Sequence, residues 1–215
     1  WIPGKIGGAL HFDGANDRVF VPHHPGFDFA NESFSVSFQM RWPEGREVYS
    51  ERFFTKGDYS SSEPGQTGKR WELYISDHEN MTFVIDDDGE DSSRLKVPLA
   101  PYITGQWVHV VAVRDTKNKQ LRLYANGVLQ KSIDPNHPRS NGLDITGSIS
   151  NPQRLTIGDA FVLDAPFEGD LDDIRIFRCA LTDEQIALFQ ERRPVLPTFR
   201  PEGHSSRERE LRQTM

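Results

Sequence analysis

The stretch SFSVSFQMRW, residues 33–42, alternates without a break. Phe34, Val36, Phe38, Met40 and Trp42 are apolar, while Ser33, Ser35, Ser37, Gln39 and Arg41 are polar. Period two over a run this long specifies a β-strand with one buried and one solvated face. The signature recurs along the chain. RWELYI places Trp71, Leu73 and Ile75 on one side, and MTFVID does the same with Met81, Phe83 and Ile85. QWVHVVAVR is apolar almost throughout and reads as a central strand. In QLRLYANGVLQKS, Asn126-Gly127 sits between two strand-like runs, and a tight hairpin turn needs positive φ at both of its central residues. RLTIGD and DLDDIRIF complete the series.

Between the runs lie turn-rich segments: HHPGFDFANE, SSSEPGQTGK, DDDGEDSS and NHPRSNG. Many short strands separated this way predict an antiparallel β-sandwich or barrel. One helix is predicted, in LTDEQIALF, where Thr182 and Gln185 have the spacing of a capping box. Residues 191–215 are rich in Pro and charge and read as a linker or tail, which leaves 1–190 as one domain.

Composition narrows the function classes. The 215 residues carry a net charge of −7, which argues against a nucleic-acid backbone as partner, because that partner selects clustered Lys and Arg. No apolar run approaches a membrane span. Cys179 is the only cysteine, so no intrachain disulfide forms, and it is expected to be buried. The chain opens on Trp1 without a signal-like segment, so a processed piece of a longer protein is expected.

Six motifs then arrive in order: GKIGGALHFDGANDRVFVP near the start, FTKGD at 54–58, GQWVHVVAVRD at 105–115, LRLYANGVL at 121–129, LTIGD at 155–159 and FEGDLDDIRIFRCALTDEQI at 167–186. Together they resemble the laminin-G-like, concanavalin-A-like jelly-roll domains of the bacterial laminin G domain 3 type. The resemblance implies an all-β fold of two antiparallel sheets with one short C-terminal helix. It also implies a noncatalytic recognition module of a larger secreted protein, outside the cell, at its surface or in the periplasm. The implied partner is a glycan or a neighbouring domain. Two alternatives stay open: a glycoside hydrolase or lyase of the same fold, and a structural spacer packed on its parent chain.

EGDLDDIRIF concentrates the acidic chemistry. As a strand it puts Glu168, Asp170 and Asp172 on one face and Asp173 on the other. Carboxyls at i and i+2 lie near the roughly 5–5.5 Å that a retaining glycosidase requires of its pair. The position on the last strand, and the single Glu, weigh against catalysis. The resemblance implies instead a structural calcium between the FDGAND turn and this strand, with Asp13 and Asp172 as side-chain ligands, since Ca²⁺ collects 6–8 oxygens. Ion pairing of Asp170 or Asp173 with Arg175 or Arg178 is the alternative. DDDGEDSS lacks the Glu of a calcium loop and reads as a hairpin tip. His23, His24 and His11 lack zinc spacing. His109 is expected to be a hydrogen-bonded side chain on the face of Trp107, Val111 and Val113.

A glycan site needs aromatic rings for the C–H faces of sugars and planar polar groups around them. Tyr49, Phe53, Tyr59 and Tyr102 fall in or beside loops. Arg41, Arg70, Glu72 and Tyr74 are expected to share outward faces with Gln39. Arg41, Arg70 and Tyr74, joined by Tyr49 and Tyr59, are the predicted ligand-binding residues.

Overall fold

The computed structural model describes residues 1–58, 67–88, 92–144, 147–160 and 165–191. The elements run β1 (Ile2–Pro3), β2 (Gly8–Asp13), β3 (Val19–Val21), β4 (Phe34–Arg41), β5 (Arg52–Gly57), β6 (Arg70–Ser76), β7 (Asn80–Asp86), β8 (Ser92–Pro98), β9 (Val108–Asp115), β10 (Gln120–Ala125), β11 (Val128–Leu129), β12 (Leu155–Ile157), β13 (Glu168–Phe177) and α1 (Asp183–Glu191). They form a seven-stranded sheet, β1-β2-β13-β4-β9-β10-β11, and a six-stranded sheet, β3-β12-β5-β6-β7-β8. All pairings are antiparallel. The two-sheet jelly-roll sandwich is thus the architecture. The tail from 192 onward lies outside the described residues.

The alternation of SFSVSFQMRW sends Phe34, Val36, Phe38, Met40 and Trp42 into the core, where they meet Trp71, Leu73, Ile75, Met81, Phe83 and Ile85 of the facing sheet. Aromatic pairs fill the layer: Phe29 stacks on Phe34 at 4.3 Å, and Phe38 meets Phe54 edge-on at 4.9 Å. Such geometry adds to the area these rings remove from water. Phe53, expected beside a loop, is a core residue at 0% exposure. The β10–β11 hairpin turns on Asn126 and Gly127 with φ of 49° and 78°, as its sequence predicts.

The polar face of β4 departs from expectation. Ser35, Ser37 and Gln39 are buried rather than solvated, because the chain after β13 folds back over the outer face of the seven-stranded sheet. Ser35 Oγ donates to the Cys179 carbonyl at 2.8 Å and accepts from Leu181 N at 3.0 Å. Leu181 and Ile186 then pack on Val111, Val113 and Tyr124. The capping box of α1 is formed: Gln185 N donates to Thr182 Oγ1 at 3.3 Å, and Thr182 N donates to Gln185 Oε1 at 3.0 Å. Cys179 sits in the bend before this helix and is exposed, not buried, since only its backbone is engaged by Ser35.

At the other end of β9, Arg114 is buried with Asp144. Its Nε donates to both carboxylate oxygens at 3.0 and 3.1 Å, and its Nη groups donate to the carbonyls of Ala30 and Gly147. Burial raises the Asp144 carboxyl pKa, and Arg114 opposes the rise.

Candidate functional site

The loops at one end of the sandwich shape two adjoining cavities. The first is a cleft of about 330 Å³ lined by Arg46, Glu47, Val48, Tyr49, His78, Glu79, Ala100 and Ile103. Tyr49 stands on its rim with 56% of its surface exposed. Its ring meets His78 edge-on at 5.7 Å, and its hydroxyl donates to Glu47 Oε2 at 3.3 Å. His78 reaches this position from the tight β6–β7 turn, where Asp77 and His78 both take positive φ.

Arg46 forms the back of the cleft. Its Nη1 and Nη2 donate to the two oxygens of Glu51 at 3.2 and 2.6 Å, and Nη2 also donates to Glu168 Oε2 at 2.9 Å. Burial alone would lower the Arg46 pKa. The hydrogen bonds and charges of Glu51 and Glu168 outweigh it, so the pKa is raised and the guanidinium stays charged.

The second cavity, about 260 Å³, is lined by His11, Arg41, Trp42, Pro43, Gly105, Glu168, Gly169 and Asp170. Asp170 organises it. His11 Nδ1 donates to Asp170 Oδ1 and Arg41 Nε to Asp170 Oδ2, both at 2.8 Å. The Arg41 guanidinium lies over the Trp107 ring at 4.7 Å. The strand register explains this contact: Gln39 faces His109, so Arg41 comes opposite Trp107. Gly169 permits the close wall. Its φ is 145°, and a Cβ there would come within 2.8 Å of Phe167 Cζ and 2.9 Å of the Arg41 carbonyl.

The predicted ligand residues do not converge. Arg41 and Tyr49 belong to these neighbouring cavities, whereas Arg70 and Tyr74 lie on β6, on the outer face of the opposite sheet. The expectation that Arg41, Arg70, Glu72 and Tyr74 share a face is corrected accordingly. Arg70 pairs with Glu72 at 3.3 Å and Asp86 at 2.6 Å. The Arg52 guanidinium covers the Tyr74 ring at 4.6 Å. Burial, and then the charge of Glu72, raise the Tyr74 pKa. Tyr59 lies outside the described residues.

The predicted calcium pair is also corrected. Asp13 faces Glu168 across the β2–β13 ladder, while Leu171 faces Leu10, so Asp172 lies four ladder positions from Asp13. At roughly 3.3 Å per residue no single ion takes both side chains. Each carboxylate is used locally. Asp13 Oδ1 accepts from Ala15 N and Asn16 N, which lowers its pKa, with the Ala15 bond the largest cause. Asp172 accepts from Ile6 N at 2.7 Å and from Asp173 N at 2.7 Å. Asp173 pairs with Arg175 at 2.7 Å. Among the described residues no group of three or more His, Cys, Asp or Glu side chains could hold a metal ion.

Sequence reasoning left His78, Arg46 and Trp42 out of the site. Trp107 is legible only as sharing the face of His109, Val111 and Val113; the β4–β9 register is what sets it opposite Arg41.

A family model described as concanavalin A-like lectin/glucanases superfamily, Laminin G 3, matches residues 13–187. The chain belongs to this superfamily. No curated protein matches the sequence. Among solved structures, domain 4 of AbnA, a GH43 extracellular arabinanase from Geobacillus stearothermophilus in complex with arabinotriose, is 21% identical with a TM-score of 0.62, covering 88% of this chain and 79% of that one. The Ruminococcus gnavus IT-sialidase CBM40 bound to α2,3 sialyllactose is 20% identical with a TM-score of 0.57, covering 84% and 95%. The binding domain of Paraclostridial Mosquitocidal Protein 1 is 16% identical with a TM-score of 0.63; the match covers 88% of this chain but only 44% of that one. At these identities the likeness carries the fold alone. No helix among the described residues is long and apolar enough to cross a membrane.

Proposed function

We propose that this domain is a noncatalytic glycan-binding module of a larger extracellular protein, with its site at the loop end that carries Tyr49. The observation that carries the reading is an exposed tyrosine ring on the rim of a cleft of about 330 Å³, with Val48, Ala100 and Ile103 as apolar wall and Arg46, Glu47 and Glu79 as planar polar groups. A sugar presents an apolar C–H face to the ring and hydroxyls to the carboxylates and guanidinium. The volume falls at the lower end of the about 300–1,000 Å³ range of small-ligand sites, which suits one or two sugar units. Structural relatives in complex with arabinotriose and sialyllactose support the reading.

The noncatalytic part rests on how the acidic strand is used. Glu168 is bound by Arg46, Asp170 by Arg41 and His11, and Asp172 by backbone N–H groups. Glu168 and Asp170 both line the second cavity, but each is tied to a cationic or imidazole side chain rather than poised as an acid and nucleophile pair. The test is a glycan array with the intact chain, followed by a reducing-end assay on each glycan retained. Binding without release of reducing ends is expected. Release that disappears in Glu168→Gln would overturn the noncatalytic reading.

A further inference from the structure

We propose that the cavity around His11, Arg41 and Asp170 is a second subsite, selective for an uncharged sugar unit that it grips through vicinal hydroxyls. The inference rests on the glycan-binding reading of the Tyr49 cleft and adds to it a neighbouring position and a charge preference.

Four observations converge. The Arg41 guanidinium is fixed before any ligand arrives, by Asp170 on its Nε and by the Trp107 ring beneath it. Among the described residues its two Nη groups carry no hydrogen bond, so a planar pair of donors remains available in the cavity wall. Two adjacent hydroxyl oxygens match that fork.

The acceptors are also in place. With Nδ1 hydrogen-bonded to Asp170, Nε2 is the ring nitrogen of His11 left to meet a ligand hydroxyl. Glu168 uses Oε2 for Arg46, which leaves Oε1 for a ligand. A hydroxyl both donates and accepts, so a polyol satisfies donors and acceptors in one wall.

The indole N–H of Trp42 is the third observation. Trp42 is 0% exposed, lines this cavity, and its Nε1 has no hydrogen-bond partner. A Cβ on Gly169 would come within 3.0 Å of Trp42 Cδ1, so the nitrogen-bearing edge of the indole runs along a glycine of the same wall. Phe53 and Phe167 hold the ring at 5.5 and 5.9 Å, so Trp42 is a rigid part of the wall and its indole is a probe set beside the cavity.

Charge is the fourth. The wall and its immediate supports hold three carboxylates, Glu51, Glu168 and Asp170, against two guanidiniums, Arg41 and Arg46. That excess of negative charge, with acceptors facing inward, disfavours a uronate or sialate carboxylate and leaves neutral hydroxyls as the fitting chemistry. Arg46 lines the first cleft and its Nη2 holds Glu168 in the second, so the two subsites flank one side chain. Consecutive units of one chain can then occupy both.

The test is an NMR titration of the intact ¹⁵N-labelled chain with arabinose, galactose and glucose, and separately with glucuronate and N-acetylneuraminate. The indole N–H signals of Trp42 and Trp107 report the second cavity, and the amides of Tyr49 and His78 report the first. A neutral sugar is expected to shift both indole signals, and the acidic sugars to bind about fivefold more weakly. Arg41→Lys keeps a charge beside Asp170 but removes the fork, so affinity at the indoles is expected to fall about tenfold at unchanged melting temperature. Unmoved indoles, undiminished binding by Arg41→Lys, or tighter binding of the acidic sugars would each overturn the proposal. Shifts confined to Tyr49 and His78 would remove the second subsite and leave the first reading standing. Shifts confined to the indoles would do the reverse, and no shift at either place would remove both.

Discussion

His109 makes the stability of this domain depend on mild acid. Its side chain lies on the outer face of the seven-stranded sheet, 4% exposed, beneath the C-terminal helix. Nε2 shares a hydrogen bond of 2.8 Å with Ser37 Oγ, and the ring meets Phe189 of α1 at 6.2 Å. Burial, and then the nearby charge of Arg175, push the His109 pKa down to about 4 from 6.5. The folded protein therefore keeps this ring neutral where the unfolded chain has already taken up a proton. With more protons bound in the unfolded state, stability rises with pH through this window. The contribution is complete above about pH 6.5 and is lost as pH falls through about 4. Each pKa unit corresponds to about 1.4 kcal/mol, so the full interval is worth roughly 3 kcal/mol. Carboxylates act in the same direction at lower pH, and a variant is needed to separate them. His109→Gln keeps a group that can hydrogen-bond Ser37 and removes the titration. Urea unfolding of both proteins across the interval is expected to give a wild-type stability that falls more steeply toward acid, with the excess loss approaching that figure. Parallel pH profiles for the two proteins would refute the assignment of this loss to His109.

Two further outcomes follow from the packing. Gly169→Ala is expected to lower stability by about 2 kcal/mol or more, because φ of 145° and the wall formed by Phe167 and the Arg41 carbonyl leave no room for a Cβ; denaturant midpoints measure it, and a neutral substitution would show that the wall yields. Arg114→Met is expected to cost about 3–5 kcal/mol, since it strands the buried Asp144 carboxylate together with the carbonyls of Ala30 and Gly147; a thermal melt within a degree or so of wild type would contradict that balance of terms.

Most of the architecture was legible because strand alternation and turn chemistry are local. The β4 pattern, the Asn126-Gly127 hairpin and the Thr182–Gln185 capping box are each set within a few residues. The sheet to which a strand belongs is not local. Arg41 and Arg70 look equivalent as polar residues of alternating strands, yet β4 and β6 lie in different sheets and their outward faces point away from each other. The solvated face read for β4 failed for a similar reason: Cys179 and Leu181, more than a hundred residues downstream, hydrogen-bond Ser35, and Leu181 and Ile186 pack on the neighbouring β9 and β10. The pairing of Asp13 with Asp172 failed on register, which puts Asp13 opposite Glu168. Tyr49 was found as an aromatic in a polar loop, but its partner His78 comes from a different hairpin, and no sequence spacing links the two.

The central claim is that sugars bind at the Tyr49 end of the sandwich. Titration calorimetry of the intact chain with the strongest oligosaccharide from an array, wild type beside Tyr49→Ala and Tyr74→Ala, tests it most directly. Tyr49→Ala removes an exposed ring, so the fold is retained while affinity falls about tenfold; Tyr74→Ala, on the opposite sheet, is expected to leave affinity unchanged. Wild-type affinity in Tyr49→Ala with binding lost in Tyr74→Ala would contradict the account and move the site to the six-stranded face.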